Sequence, residues 1–345
     1  MAVLGATGFT GRLVLERARE AGLPLRLVGR RREALAALAQ PGDETRVADA
    51  RSEADLLSAF EGASVVASLA GPYLELGPRP VAAAIGAGAH YVDVTGEQAF
   101  ARLVHEGFGD SAAERGVALL TAFGFLYAIG DLAVRLAADG LEPVDEAIAA
   151  YAVSGFRLGS PGTRRTVGRA MSQPVVTYED GSLVRSRFGA TTREVEFPFG
   201  RARVVEWTGT EPLTVPRHTR ARSVRSYVTV PLPGLVARVA RLGPLAAPLV
   251  RLSARLKGGP SATRRSATRW TVVGEARGEG GARRATLTGH DVYGLTALLV
   301  VRAAEALRAG RVEATGALAP AEAFEPRALL EHLAPLAEPA SVEDF

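Results

Sequence analysis

The run Ala2-Val3-Leu4-Gly5-Ala6-Thr7-Gly8-Phe9-Thr10-Gly11 decides the fold. Three apolar residues make a short strand, and three glycines spaced G-x-x-G-x-x-G follow it at once. A helix then runs to about Gly22. A turn without side chains lets a pyrophosphate come close to main-chain N–H groups. The helix it opens adds the positive end of its dipole. The spacing is a variant of the dinucleotide-binding fingerprint G-x-G-x-x-G, and its place between strand and helix gives it meaning.

Working outward, Leu25–Val28, Thr45–Ala48, Ser64–Leu69, Tyr91–Val94 and Val117–Leu120 read as strands. Helical stretches separate them at Arg31–Leu38, Glu53–Phe60, Pro80–Gly88 and Gln98–Arg115. That alternation predicts βαβ units and a parallel sheet. After Gly140 the texture changes to consecutive strands: Val144–Val153, Leu183–Phe188, Arg193–Phe197, Arg201–Trp207, Val224–Val230, Ala267–Gly274 and Arg283–Thr288. Val292–Ala309 then returns to helical periodicity. The expected fold is α/β, a Rossmann-type parallel sheet domain with a second, inserted α+β domain built on a mostly antiparallel sheet. Residues 1–140 and 290–345 form the first domain in this reading, and 141–289 the second, which carries substrate binding or dimerisation.

The end of the second strand selects the cofactor. A site for NAD usually places an acid there to hold the ribose 2′-hydroxyl. Here the chain reads Gly29-Arg30-Arg31-Arg32. No carboxylate repels a 2′-phosphate, and guanidinium groups grip one bidentately. The expected cofactor is therefore NADP(H), held by Gly5, Ala6, Thr7, Gly8, Phe9, Thr10 and Gly11, by Arg30 and Arg31, and by Ala70-Gly71-Pro72 after the fourth strand. Asp49, after the third strand, is either an adenine contact or an ordinary turn aspartate.

Hydride chemistry belongs to the nicotinamide, so the protein supplies orientation and a proton. Tyr73 follows the fourth strand and is either a proton donor or a wall of the nicotinamide pocket. Glu97 follows the fifth strand, as Asp93 does. It either meets the polar end of the substrate or opens the next helix at its favourable acidic end. The five histidines, His90, His105, His218, His290 and His332, show no metal-ligand spacing, so no metal is expected.

Composition narrows the function classes. The 345 residues are 47% hydrophobic and 23% charged, the balance of a globular chain. There is no cysteine, which removes disulfides, thiolate metal sites and cysteine nucleophiles. Lys257 is the only lysine, and the net charge is only +4 with acids spread through the same segments. No basic stripe interleaved with aromatics points to nucleic acid. The chain enters a strand at once, so no secretory signal is expected. Its longest uncharged run, Gly116 to Gly130, is shorter than the ~20 apolar residues a membrane-spanning helix needs. The expected address is cytoplasmic. Leu232–Lys257 alternates apolar residues with arginines and prolines. It suits a homodimer contact, the lining of a channel for a lipid-like small-molecule substrate, or a peripheral membrane contact.

Four segments resemble the saccharopine dehydrogenase-like oxidoreductases. Gly5–Gly11 with Gly29–Arg31 resembles their cofactor site. Gly71-Pro72-Tyr73 with Gly88-Ala89-His90-Tyr91-Val92-Asp93-Val94-Thr95-Gly96-Glu97 resembles their G-P-[YF] … G-x-H-Y-x-D-x-x-G-E block. Ser160-Pro161-Gly162-Thr163, beside Arg164 and Arg165, is similar to their S-G-G-T turn, and Asp291–Ala297 to their D-x-Y-G-x-T-A helix start. Within that family the chain is most similar to the trans-acting enoyl reductase-like branch. The resemblance implies NADPH-dependent reduction of an enoyl or carbonyl substrate; imine reduction and a sensor without catalysis remain the alternatives. One block departs: the family's G-F-D-x-x-P-x-D stands here as Gly124-Phe125-Leu126-Tyr127-Ala128-Ile129-Gly130-Asp131. Asp131 is expected to cap a helix beginning at Leu132.

Overall fold

The computed structural model describes residues 1–155, 175–231 and 259–345. Residues 160–165 and 232–257, singled out above, lie outside the described residues. Strands β1 (Ala2–Leu4), β2 (Arg26–Gly29), β3 (Glu44–Val47), β4 (Val65–Ser68), β5 (His90–Asp93) and β6 (Ala118–Leu120) come first. There follow β7 (Val144–Ser154), β8 (Val175–Glu179), β9 (Ser182–Ser186), β10 (Thr192–Phe197), β11 (Gly200–Glu206), β12 (Ala221–Thr229), β13 (Arg269–Gly278) and β14 (Gly281–His290). Short strands β15 (Gly316–Ala317) and β16 (Ser341–Asp344) close the chain.

The chain divides into two compact units. One comprises Met1–Thr95, Ala99–Phe125 and Tyr293–Leu318. Its seven strands run in the order β15-β6-β5-β4-β1-β2-β3, and every pairing is parallel. β4 is buried along its whole length, as a strand covered on both faces must be. Phe60, Tyr91 and Phe100 are fully buried in the core that includes Val66, Val81 and Leu119. Burying each phenylalanine contributes roughly 1.5–3 kcal/mol on removal from water. The chain builds outward from β1 through β2 to β3, then crosses over to place β4 on the other side of β1, so the order reverses between β1 and β4. In such sheets ligands sit outside the strands' carboxyl ends at that reversal.

The other unit comprises Gly96–Gln98, Leu126–Val292 and Ala319–Phe345. Its sheet follows β10-β11-β12-β7-β13-β14-β16, with β8 pairing β12 and β9. Only β12 with β7 is parallel among the described pairings of this sheet. Central strand β7 is buried on both faces. Ile148 and Ala150 pack with Val195, Phe197, Val204, Tyr227 and Val273. Helix Phe125–Ala138 lies so close to β13 that a Cβ at Gly274 would strike the backbone of Ala133.

Two expectations are corrected. The return to the parallel sheet ends at Leu318, not at Phe345. Instead β16 pairs antiparallel with β14, and Asp344 and Glu343 meet Arg283 at 2.8 Å and Arg284 at 3.3 Å. The backbone ladder holds the tail there, and the opposite charges facing across the two strands add little in water. Asp131 does not cap a helix, because it lies inside Phe125–Ala138. It is buried, and pairs with His218 Nε2 at 3.0 Å while accepting from the Ala321 N–H at 2.9 Å.

Candidate functional site

The glycine turn leaves β1 at Gly5, whose φ of +82° is the left-handed region that suits glycine. Its N–H donates to Val28 O of β2 at 3.1 Å, and a Cβ here would lie 2.9 Å from Leu69 C and O. At Gly11 a Cβ would strike Gly5 O and come within 2.9 Å of Ala6 O. Turn and helix therefore pack backbone to backbone. Helix Phe9–Glu20 starts from Gly8 with no side-chain cap and no acid in its first turn. Its amino-terminal N–H groups and dipole are left for an anion. Phe9 is fixed edge-on against Tyr293 at 5.0 Å, which ties the late helix Val292–Arg308 to the turn. The residues present thus fit a dinucleotide pyrophosphate.

Strand order brings the other sequence-predicted contacts to the same edge of this sheet. Leu69 donates to Leu4 O at 2.8 Å, so Ala70, Gly71 and Pro72 leave β4 beside the glycine turn. Arg30 and Arg31 leave β2 on the other side of β1. Arg30, Arg31 and Arg32 are exposed and have no ion pair among the described residues. Asp49 follows β3, half-buried, and its carboxylate accepts from the Arg51 N–H at 2.9 Å. That bond closes a local turn after β3.

Tyr73 is the first residue of the short helix Tyr73–Leu76 and is only 7% exposed. Its hydroxyl donates to Ser68 O at 3.1 Å, and its ring packs on Phe100 at 5.7 Å. The phenol is held against its own strand, which suits a wall better than a proton donor. Asp93 is fully buried and accepts from Thr95 N–H at 2.8 Å, Ala122 N–H at 3.0 Å and Thr121 Oγ1 at 2.9 Å. Burial outweighs these bonds and pushes its carboxyl up to about 6. Its place is to tie the end of β5 to the end of β6.

Glu97 belongs to the second unit and is 5% exposed. Around its segment lies a cluster whose members the sequence did not bring together: Gln98, Tyr127, Tyr151, Glu211 and Ser226. Glu211 opens helix Glu211–His218 with its carboxyl fully buried. Burial pushes that carboxyl up to about 7, against the bonds that Ser226 and Tyr151 donate to it. The only sequence signal was an acid followed by Pro212, which reads as a helix start.

The comparisons with known proteins agree with this geometry. Residues 5–110 match the family described as NAD(P)H-binding. A Mycobacterium tuberculosis protein provisionally named a trans-acting enoyl reductase is 35% identical over 138 residues, 38% of this chain and 33% of that protein. A saccharopine dehydrogenase-like oxidoreductase of Mus musculus is 32% identical over 154 residues, 39% and 36% of the two chains. This chain's relatives thus include saccharopine dehydrogenase-like oxidoreductases. A lipid droplet localized protein of Caenorhabditis elegans is 33% identical over 147 residues, 39% of this chain and 34% of that protein. The chain spans about a third of the length of the curated relatives it matches. In fold it is similar to saccharopine dehydrogenase (L-Glu forming) of Saccharomyces cerevisiae, with a TM-score of 0.64 and 14% identity over 99% of both chains. No helix among the described residues is long and apolar enough to cross a membrane.

Proposed function

We propose that this chain is an NADP-dependent oxidoreductase that reduces a hydrophobic enoyl or carbonyl substrate. The observation that carries the reading is the uncapped glycine turn flanked by exposed Arg30 and Arg31, without an acid at the end of β2. The bound nicotinamide would supply the hydride. Gly5–Gly11 would hold the pyrophosphate, Arg30 and Arg31 the 2′-phosphate, and Ala70–Pro72 the approach to the nicotinamide. Tyr73 would wall that approach, and Glu97 would meet the polar end of the substrate. The names of two relatives, an enoyl reductase and a lipid droplet protein, support the choice of a greasy substrate. The sequence pattern of Leu232–Lys257 supports a homodimer, which sedimentation would check.

The test is NADPH oxidation, followed by absorbance, with a trans-2-octenoyl thioester, a medium-chain ketone and a preformed imine. Turnover of the first or second substrate is expected. Tight NADPH binding with no turnover of any would make the chain a nucleotide-binding sensor.

A further inference from the structure

The buried cluster of the second unit has an order to it. Tyr151 of β7 donates its hydroxyl to Glu211 Oε1, and Ser226 of β12 donates to Oε2 at 2.6 Å. Two glycines make the room. A Cβ at Gly130 would strike the Tyr151 hydroxyl and the Glu211 carboxyl, and one at Gly209 would strike Glu211 and Ser226. With its hydrogen directed at Glu211, the Tyr151 oxygen accepts from the Tyr127 N–H at 3.0 Å.

Tyr127 is the strained member. Its φ of 83° and ψ of −58° interrupt the helix Phe125–Ala138, and an aromatic residue with positive φ is a conformational outlier. Such backbone persists only where its surroundings over-determine it. Here the effect is to aim the phenol: Tyr127 Oη donates to Gly96 O at 3.0 Å, and the ring stacks on Trp207 at 6.2 Å. Gly96 is the residue before Glu97. On the other side, Gln98 Nε2 donates to Gly209 O at 2.5 Å and Val176 O at 2.9 Å, while its Oε1 accepts from Val176 N–H at 2.8 Å. Glu97 thus sits between two anchored neighbours.

We propose that Tyr127 is a positioning residue for Glu97, held in its strained conformation by the Tyr151–Glu211 pair so that its phenol fixes the Gly96 carbonyl. The inference rests on the reading that Glu97 meets the substrate. Tyr127→Phe removes one hydrogen bond and keeps the ring on Trp207. Amide exchange at Gly96–Gln98, read by mass spectrometry, should rise about tenfold, with β7 and β13 unchanged. Turnover of the octenoyl thioester should fall about tenfold with the KM for NADPH unchanged, since the variant spares the nucleotide site. The Tyr127→Phe, Glu97→Gln double variant should be no slower than Glu97→Gln alone. Unchanged exchange, or independent multiplication of the two kinetic effects, overturns the proposal. Raised exchange with Glu97→Gln at full turnover instead overturns the role of Glu97 and leaves Tyr127 holding the segment alone. If Tyr127→Phe does not fold, Tyr151→Phe removes the hydroxyl that holds the Tyr127 N–H and must raise the same exchange.

Discussion

Glycine serves opposite ends in the two units. At Gly5 and Gly11 the missing side chains let main chain pack on main chain and leave a helix start open to an anion. At Gly130 and Gly209 they make room for the protein's own carboxyl, that of Glu211, and the hydroxyls bonded to it. The first arrangement offers main-chain N–H groups and exposed arginines, so binding there would need no titratable group in an altered state. The second buries an acid and satisfies it internally. Changes to the first should therefore act on ligand affinity, and changes to the second on stability and its pH dependence.

The largest effect should come from Glu211. Its carboxyl is raised from 4.5 to about 7 in the folded chain, so the folded state holds the proton more tightly than the unfolded state. The resulting stability is fully present below pH 4.5 and is lost as pH rises through about 7. Across that window the wild type should lose about 3 kcal/mol relative to Glu211→Gln, measured by denaturant unfolding at several pH values. Asp93 is shifted in the same direction but is common to both proteins and cancels. Equal pH slopes would mean that Glu211 is not held as described.

Next in size is Gly130→Ala. The added methyl collides with Tyr151 and Glu211, an overpacking that costs about 1–3 kcal/mol, with NADPH affinity kept. An equal loss of affinity and stability would erase the distinction between the units. The smallest effect belongs to Tyr73→Phe. Because the hydroxyl is bonded to Ser68 O, turnover of the octenoyl thioester should fall only about two- to threefold, far short of the roughly 10²–10⁴-fold expected for a proton donor.

The first unit was legible in the sequence because its signals are local. The glycine turn, the strand–helix alternation and the helix of Val292–Ala309 each lie within a few turns of chain. Arg30 and Arg31 follow directly from the end of β2. The second unit's strands were visible by pattern, except β8 and the tail strand β16, which gain their identity from distant partners. Glu211 was invisible for the same reason: Tyr151 lies 60 residues away and Ser226 is on another strand. The reading of Asp131 as a cap failed because Leu126 and Tyr127 break the helix locally, and the chain resumes it through Asp131. Nothing in the spacing of Gly124–Asp131 announces a positive φ at Tyr127.

We propose that the first unit binds NADP(H) through the glycine turn and recognises its 2′-phosphate with Arg30 and Arg31. Fluorescence titration of NADPH and NADH against the wild type and an Arg30→Ala, Arg31→Ala double variant tests it most directly. NADPH should bind the wild type at least about tenfold more tightly, a difference of ~1.4 kcal/mol. The variant should lose that preference through weaker NADPH binding, with NADH affinity nearly unchanged. Equal affinities in the wild type, or a preference that survives in the variant, would contradict the account.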